Sequence, residues 1–137
     1  MQYRWFLGGT LILAACAQRY AAPADTRTSA GPEETFECVK RQMVALGYKQ
    51  SSIDADEHRV SGTKIDMTAR RPDTQFRRML DKLEAEVAAE SDGQTSIQVV
   101  GRTFAEYATQ RGPTEVEEKP SKDVNTAAQQ LLERCRG

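Results

Sequence analysis

The chain has 137 residues, with 19 lysines and arginines against 20 aspartates and glutamates and a single histidine, so its formal net charge at pH 7 is −1. This near-neutral balance lacks the clustered basic excess of a nucleic-acid-binding protein, and we expect no nucleic-acid partner. The length is typical of one domain with one modest core.

The amino terminus has the pattern of an export signal. Arg4 supplies one positive charge, and a short apolar stretch from Trp5 to Leu13 follows it, which is the order of charged and apolar regions in a signal peptide. The stretch is much shorter than the roughly 20 residues of a transmembrane helix. We therefore interpret residues 1–15 as a segment that is removed.

A branched residue and two small ones stand directly before the first cysteine, as Leu13, Ala14, Ala15 and Cys16. This sequence resembles the lipobox of bacterial lipoproteins. The resemblance implies cleavage between Ala15 and Cys16, a diacylglyceryl group on the Cys16 thiol and acylation of the new amino terminus, which palmitate labelling would detect. Two or more acyl chains hold a protein firmly at a membrane. The alternative is an ordinary signal peptide that ends at a cysteine by chance.

The same resemblance predicts a location. It implies a protein anchored in the cell envelope, with the membrane as its partner through the lipid on Cys16. Some proteobacterial sorting systems read an acidic residue after this cysteine as a signal to stay at the inner membrane, and this chain has Ala17 there. In a diderm bacterium with that rule, we expect the periplasmic face of the outer membrane.

The remaining chain divides into a tether and a domain. Residues 16–31 contain the lipidated cysteine and a stretch rich in Ala, Thr, Ser and Pro, without an apolar period. Such a composition is typical of a flexible linker. Residues 32–137 are then a single domain.

Two cysteines remain in that domain, Cys38 and Cys135. An even pair in an exported protein favours one disulfide, which would tie the first element of the domain to the last. The alternative is two buried free thiols. It stays open because sequence separation does not show whether the Cα atoms come within bridging reach. A metal site on two cysteines without a nearby histidine is disfavoured, and we expect no metal or other cofactor.

The first half of the domain predicts a helix and a hairpin. Pro32 and the acids after it indicate a helix start, and Gly47 a helix end, so residues 32–46 form the first helix. Residues 48–56 and 59–69 have the composition of two strands around a polar turn. Gly62 is a candidate β-bulge.

The second half predicts two helices around one strand. A helical stripe of apolar residues follows Pro72, formed by Phe76, Met79, Leu80, Leu83 and Val87. Residues 95–107 form a strand, residues 109–120 a surface loop, and the last helix starts at Ser121 or Asp123. The predicted fold class is therefore α+β, a small three-stranded antiparallel or mixed sheet with helices packed on one face, in the order α-β-β-α-β-α. It resembles small α+β modules of envelope lipoproteins only in this order and in Leu46, Gly47 and Tyr48.

Two polar clusters are candidates for chemistry. Asp54, Asp56 and His58 would project to one side of an extended strand, with Glu57 beside them, and could bind a divalent cation. They complete neither a calcium nor a zinc ligand set, and a charged hairpin tip is the simpler interpretation. No nucleophile lies near His58 in the sequence, so we assign no catalytic residue.

The second cluster contains the arginines Arg70, Arg71, Arg77 and Arg78. It could contact phospholipid head groups or an acidic partner, or be ordinary solvated surface. The favoured function is a noncatalytic binding or assembly-accessory domain in the cell envelope, with an envelope protein as its further partner. The alternative is a small envelope hydrolase or metal-binding protein that uses the Asp54–His58 stretch. An open hairpin tip would favour the first.

Overall fold

The computed structural model describes residues 20–137 as a six-stranded antiparallel sheet with two helices. The strands are β1 (Ala24–Thr28), β2 (Lys49–Asp54), β3 (Arg59–Asp66), β4 (Phe76–Ala89), β5 (Thr95–Thr109) and β6 (Gly112–Glu118). The helices are α1 (Pro32–Ala45) and α2 (Lys122–Cys135).

Strands β4 and β5 form the centre of the sheet. The strand order is β1-β5-β4-β3-β2, and β6 pairs with the same side of β5 as β1 does. The two short strands share that edge, because β1 pairs with residues 95–99 and β6 with residues 103–109. All five strand pairs are antiparallel.

Both helices pack against one face of this sheet. Alternate residues of β4, namely Leu83, Ala85 and Val87, point to that face and are buried. Their neighbours on β5, Ile97 and Val99, are fully buried beside them. The helices complete the core with Phe36, Val39 and Met43 of α1 and Val124, Ala128 and Leu131 of α2.

Two glycines let the helices approach the sheet closely. A Cβ atom added at Gly62 would lie 2.7 Å from the Met43 sulfur, and one at Gly101 would lie 3.0 Å from Val124 Cγ2. Gly62 therefore serves close packing, and the predicted bulge at this residue is wrong. The register shift lies in the partner strand β2, between Gln50 and Ser52.

The predicted three-stranded sheet with three helices is wrong. The segment predicted as the second helix is the central strand β4. Its apolar residues fit a helical spacing, but Leu83 and Val87 face the helices while Leu80 faces the opposite side, where it pairs with Ile65 and Phe104. Pairing with strands on both sides, which local sequence does not encode, decides the conformation of such a segment.

The charged residues of β4 also pair across strands. Lys82 and Glu86 have the spacing of a helical ion pair, but Lys82 lies 2.6 Å from Glu115 of β6 and Glu86 lies 3.1 Å from Arg59 of β3. These pairs lie on the face away from the helices. An antiparallel sheet tolerates one solvated face, and here charged side chains cover it.

Two further strands lie where the sequence predicted irregular chain. Strand β1 lies within residues 16–31, which the sequence assigned to the tether, and β6 lies within the predicted loop 109–120. Both are edge segments, and backbone hydrogen bonds to β5 hold them. A segment held in this way needs no strong apolar alternation, so its sequence gives little signal.

Candidate functional site

The predicted lipidation and cleavage residues, Ala15 and Cys16, lie outside the described residues. The two cysteines of the domain are joined as a disulfide, with Cα atoms 5.8 Å apart and a sequence separation of 97 residues. Cys38 lies on α1 and Cys135 ends α2. The bond therefore ties the two helices together over the core.

The Asp54–His58 stretch forms the exposed turn between β2 and β3. Asp54 Oδ1 accepts a hydrogen bond from the Glu57 amide at 3.1 Å, which closes the turn. His58 adopts a positive φ of 49°, its ring packs 5.1 Å from the ring of Phe36, and its Nε2 lies 3.2 Å from Glu33 Oε1. The histidine thus contacts α1, and the structure does not bring it together with the aspartates.

Carboxylates compensate three of the four clustered arginines. Arg71 pairs with Glu118 and donates to the Tyr107 hydroxyl at 3.0 Å, and these hydrogen bonds raise the pKa of Arg71 above its ordinary value. Arg77 and Arg78 both lie within ion-pair distance of the buried Glu106. Arg70 donates to the backbone carbonyls of Met67 and Ala69. These contacts hold the β3–β4 loop and the base of β4.

A polar cleft lies on the helix-covered side of the sheet, beyond the point where the helices end. We call it the α2 cleft, because the first turn of α2 forms one wall, and the end of β3 with the loop after it forms the other. Its volume is about 370 Å³. Its polar lining includes Lys64, Asp66, Asp81, Thr103, Ser121 and Asp123, and its apolar lining consists of Ile65 and Met79.

Asp81 accepts a hydrogen bond on each of its carboxylate oxygens. Its Oδ1 accepts a hydrogen bond from Thr103 Oγ1 at 2.6 Å, and its Oδ2 accepts one from Ser121 Oγ at 2.8 Å. Ser121 also caps α2, because its Oγ accepts from the Val124 amide at 3.0 Å, and its own amide donates to Thr103 Oγ1 at 2.8 Å. The network holds the carboxylate in one position between β4, β5 and α2.

Asp66 stands at the opposite wall. Its Oδ1 accepts hydrogen bonds from the Thr68 hydroxyl at 2.6 Å and the Thr68 amide at 2.8 Å. These two bonds lower the pKa of Asp66 below its ordinary value, and the positive charge of Arg70 adds to the effect. The wall therefore carries a carboxylate whose charged form is favoured by its hydrogen-bond donors.

Tyr48 is a neighbour of Lys64 and is 2% exposed, and it does not line the α2 cleft. Among residues 20–137, no group donates to or accepts from its buried hydroxyl. Burial raises the pKa of Tyr48, and the nearby negative charges of Asp81 and Asp123 raise it further. Lys64 Nζ lies 5.9 Å from the centre of the tyrosine ring. A buried hydroxyl without a partner is rare in folded proteins.

Sequence reasoning missed the α2 cleft. It assigned the segment that contains Asp81 to a helix, whereas this segment is the strand β4, and it considered Asp123 only as a helix cap. The useful signal was that Lys64 and Asp66 are two positions apart in a predicted strand, so that both side chains lie on one face. Their approach to Asp81 depends on the pairing of β3 with β4, in which Lys64 is opposite Asp81.

The α2 cleft offers mainly hydrogen-bond acceptors and negative charge. Such a surface binds donors and cations. Within residues 20–137, no group of three or more His, Cys, Asp and Glu side chains could hold a metal ion. The same part of the chain contains no helix that is long and apolar enough to span a membrane. The chain matches no protein-family model and no curated protein.

Proposed function

We propose that this protein is a lipid-anchored component of a bacterial cell envelope, whose domain binds a partner and does not catalyse a reaction. The observation that carries the proposal is the sequence Leu13, Ala14, Ala15, Cys16 at the end of a short apolar stretch. Acylation of Cys16 would supply membrane attachment through two or more chains, which is enough for stable anchoring.

The disulfide supports the location. Disulfides persist in oxidising compartments such as the periplasm and are rare in the cytosol. The bond between Cys38 and Cys135 links the first helix to the last. A protein that leaves the cytosol by the route the amino terminus predicts would reach a compartment where this bond is stable.

The position of β1 sets how far the domain can lie from the anchor. Seven residues, and therefore eight Cα-to-Cα steps, separate Cys16 from Ala24, the first residue of β1. A fully extended chain spans at most about 3.6 Å per residue, or about 29 Å in total. The domain therefore works close to the membrane surface that holds the lipid, which is the periplasmic face of the outer membrane in a diderm host.

The contacts of the Asp54–His58 stretch and of the arginine cluster support a binding role. The Asp54–His58 stretch is an open turn, and the histidine contacts α1. Most of the arginine cluster is paired with carboxylates of its own domain. We propose an envelope protein as the partner, and no nucleic acid. No observation favours the hydrolase or metal-binding alternative.

Fractionation of a diderm bacterial host that expresses the chain tests the anchor. We expect palmitate labelling of the wild type and of the control Ala17→Ser, and recovery of both with outer-membrane markers. Cys16→Ser should lose the label and leave an uncleaved precursor, because the modified thiol is gone. Ala17→Asp should keep the label and move to the inner-membrane fraction. Palmitate labelling that persists in Cys16→Ser would exclude the lipoprotein assignment.

A further inference from the structure

We infer that the outer edge of β2 is a self-association surface, on which β2 of a second copy of this chain pairs antiparallel about a two-fold axis. The pairing joins two sheets into one continuous sheet, with the α1 helix of each copy beside the junction. The inference goes beyond the proposed envelope partner, and it does not depend on the lipid anchor.

The edge of β2 is open within the described part of the chain. Among residues 20–137, β2 pairs with β3 only, and five of its six residues are exposed. The backbone amides and carbonyls that point away from β3 are therefore accessible to a further strand. Addition of a strand to such an edge is a common mode of protein recognition.

The opposite edge of the sheet is protected against such pairing. Pro113 lies within β6, and Pro23 directly precedes β1. Strand β6 also carries Glu115, Glu117 and Glu118. Prolines and charged side chains on an edge oppose the addition of a strand. Strand β2 contains no proline and is charged only at its first and last residues, so it is the edge that accepts a partner.

The charges at the two ends of β2 are complementary to those of a second copy. When β2 pairs antiparallel with itself so that Gln50 lies opposite Ile53, Lys49 lies opposite Asp54 of the second copy. The two-fold axis produces this pair twice. Opposite charges that face each other across two strands stabilise a sheet, and like charges destabilise it. An identical strand is thus a partner with matching charges at both ends.

The bulge in β2 puts the facing residues on matching sides of the sheet. Because the register with β3 shifts between Gln50 and Ser52, Gln50 and Ile53 both lie opposite residues of β3 that face the helices. Lys49 and Asp54 lie opposite residues of β3 that face away from the helices. In the two-fold register, each side chain therefore meets its counterpart on the same side of the sheet.

Exposed apolar residues flank the same edge. Val44 of α1 is 58% exposed and Ile53 is 52% exposed, and both line a groove between α1 and β2. Gln50 lies in this groove, where its side-chain amide donates to the Lys40 carbonyl at 3.1 Å. In the two-fold register, Ile53 of the second copy lies opposite Gln50 and enters the groove beside Val44. The contact removes apolar surface of both copies from water, which favours association.

Sedimentation velocity of the full chain, purified from membranes in detergent, tests the inference. Micelles are kept in excess over protein, so that two copies do not share a micelle by chance. We expect a dimer whose fraction rises with protein concentration. Hydrogen exchange locates the contact, because the amides of β2 should exchange more slowly in the dimer, while those of β6 should not change.

Charge reversal tests the register. Lys49→Glu and Asp54→Lys each place like charges opposite one another twice in the dimer, so each should weaken dimerisation about tenfold. A mixture of the two variants should dimerise as the wild type does, because the mixed pair has opposite charges at both positions. Lys119→Glu, which follows β6 at the other edge, makes the same charge change as the first variant and should leave the dimer unchanged.

Ile53→Thr tests the apolar contact. It keeps a β-branched side chain, which suits a strand, but replaces apolar surface with a hydroxyl. The residue occurs twice in the interface, so the variant should weaken dimerisation about tenfold. The melting temperature of the monomer should not change, because Ile53 is exposed in a single copy.

A wild type that remains monomeric at every concentration would overturn the inference and leave the edge to a different envelope protein. So would wild-type affinity in Lys49→Glu, a change at an exposed residue. A mixture of Lys49→Glu and Asp54→Lys that dimerises no better than either variant alone would also overturn it. Absence of palmitate labelling in the fractionation experiment would overturn the anchor alone.

Discussion

The helix-covered side of the sheet has two regions with opposite chemistry. Under the helices, the strand residues are apolar and fully buried, as Leu83, Val87 and Val99 show. Beyond the helices the same strands carry Asp81 and Thr103 on the same side. The alternation of side chains does not change between Asp81 and Val87 of β4. The residues on this side change from apolar to polar where α2 begins.

The difference shows how the ends of the helices define a site. Where a helix covers the sheet, exclusion of water makes apolar residues stabilising. Where the cover ends, the strands can carry charged and polar side chains at little cost, provided that these are hydrogen-bonded or solvated. Polar residues that would be destabilising under α1 thus line a cleft a few residues away. Three stability measurements can test this contrast.

We expect the largest effect from loss of the disulfide that links the two helices over the covered region. The double variant Cys38→Ala, Cys135→Ala removes a bond that closes a loop of 97 residues. The chain-entropy model predicts a loss of about 5 kcal/mol for loops of this size. Chemical denaturation of the variant and of reduced wild type should give matching decreases. A free energy of unfolding that stays at the wild-type value would show that the disulfide does not stabilise the helices.

Leu83→Ala tests the covered region itself. Leu83 is fully buried between the two helices and the sheet, so the truncation leaves a cavity and should cost about 2 to 5 kcal/mol. The adjacent Glu84→Ala is the control, because this side chain points to the solvated face and is exposed. Equal losses in the two variants, measured by denaturant unfolding, would contradict the assignment of the two faces.

Ser121→Ala tests the polar region beyond the helices, and we expect it to have the smallest effect on stability. It removes the cap of α2 and one of the two hydrogen bonds to Asp81, so we expect a loss of about 1 kcal/mol. Ser91→Ala, in the exposed β4–β5 turn, is the control. The melting temperature should fall in Ser121→Ala only. A loss as large as that of Leu83→Ala would mean that the cleft is part of the core.

Some features of the fold could be predicted from the sequence because local signals carry them. Pro32 and Gly47 bound α1 as expected, and Ser121 caps α2. The bounds of β2, β3 and β5 also lie within three residues of the predicted ones. Each of these signals depends on the residue's own backbone preference or on a side chain a few positions away.

The conformation of β4 could not be predicted in this way. Its apolar residues satisfy the helical period over this length, and Lys82 and Glu86 have the spacing of a helical pair. The ion pairs to Glu115 and Arg59 became visible only with the neighbouring strands in place. The error at β4 then hid the α2 cleft, because Asp81, Thr103 and Ser121 meet only across β4, β5 and α2.

The sequence by itself determined the export pattern, the lipobox resemblance, the pairing candidates Cys38 and Cys135, the bounds of α1 to within one residue, and the start of α2. All of these depend on residue identity within a short segment or on a simple count. Tertiary structure alone decided that Phe76–Ala89 is a strand, that β1 and β6 extend the sheet, and that three acidic residues distant in sequence line one cleft. The physical reason is that strand pairing and burial depend on contacts between residues far apart in the chain, and these contacts outweigh local preferences of about 1 kcal/mol.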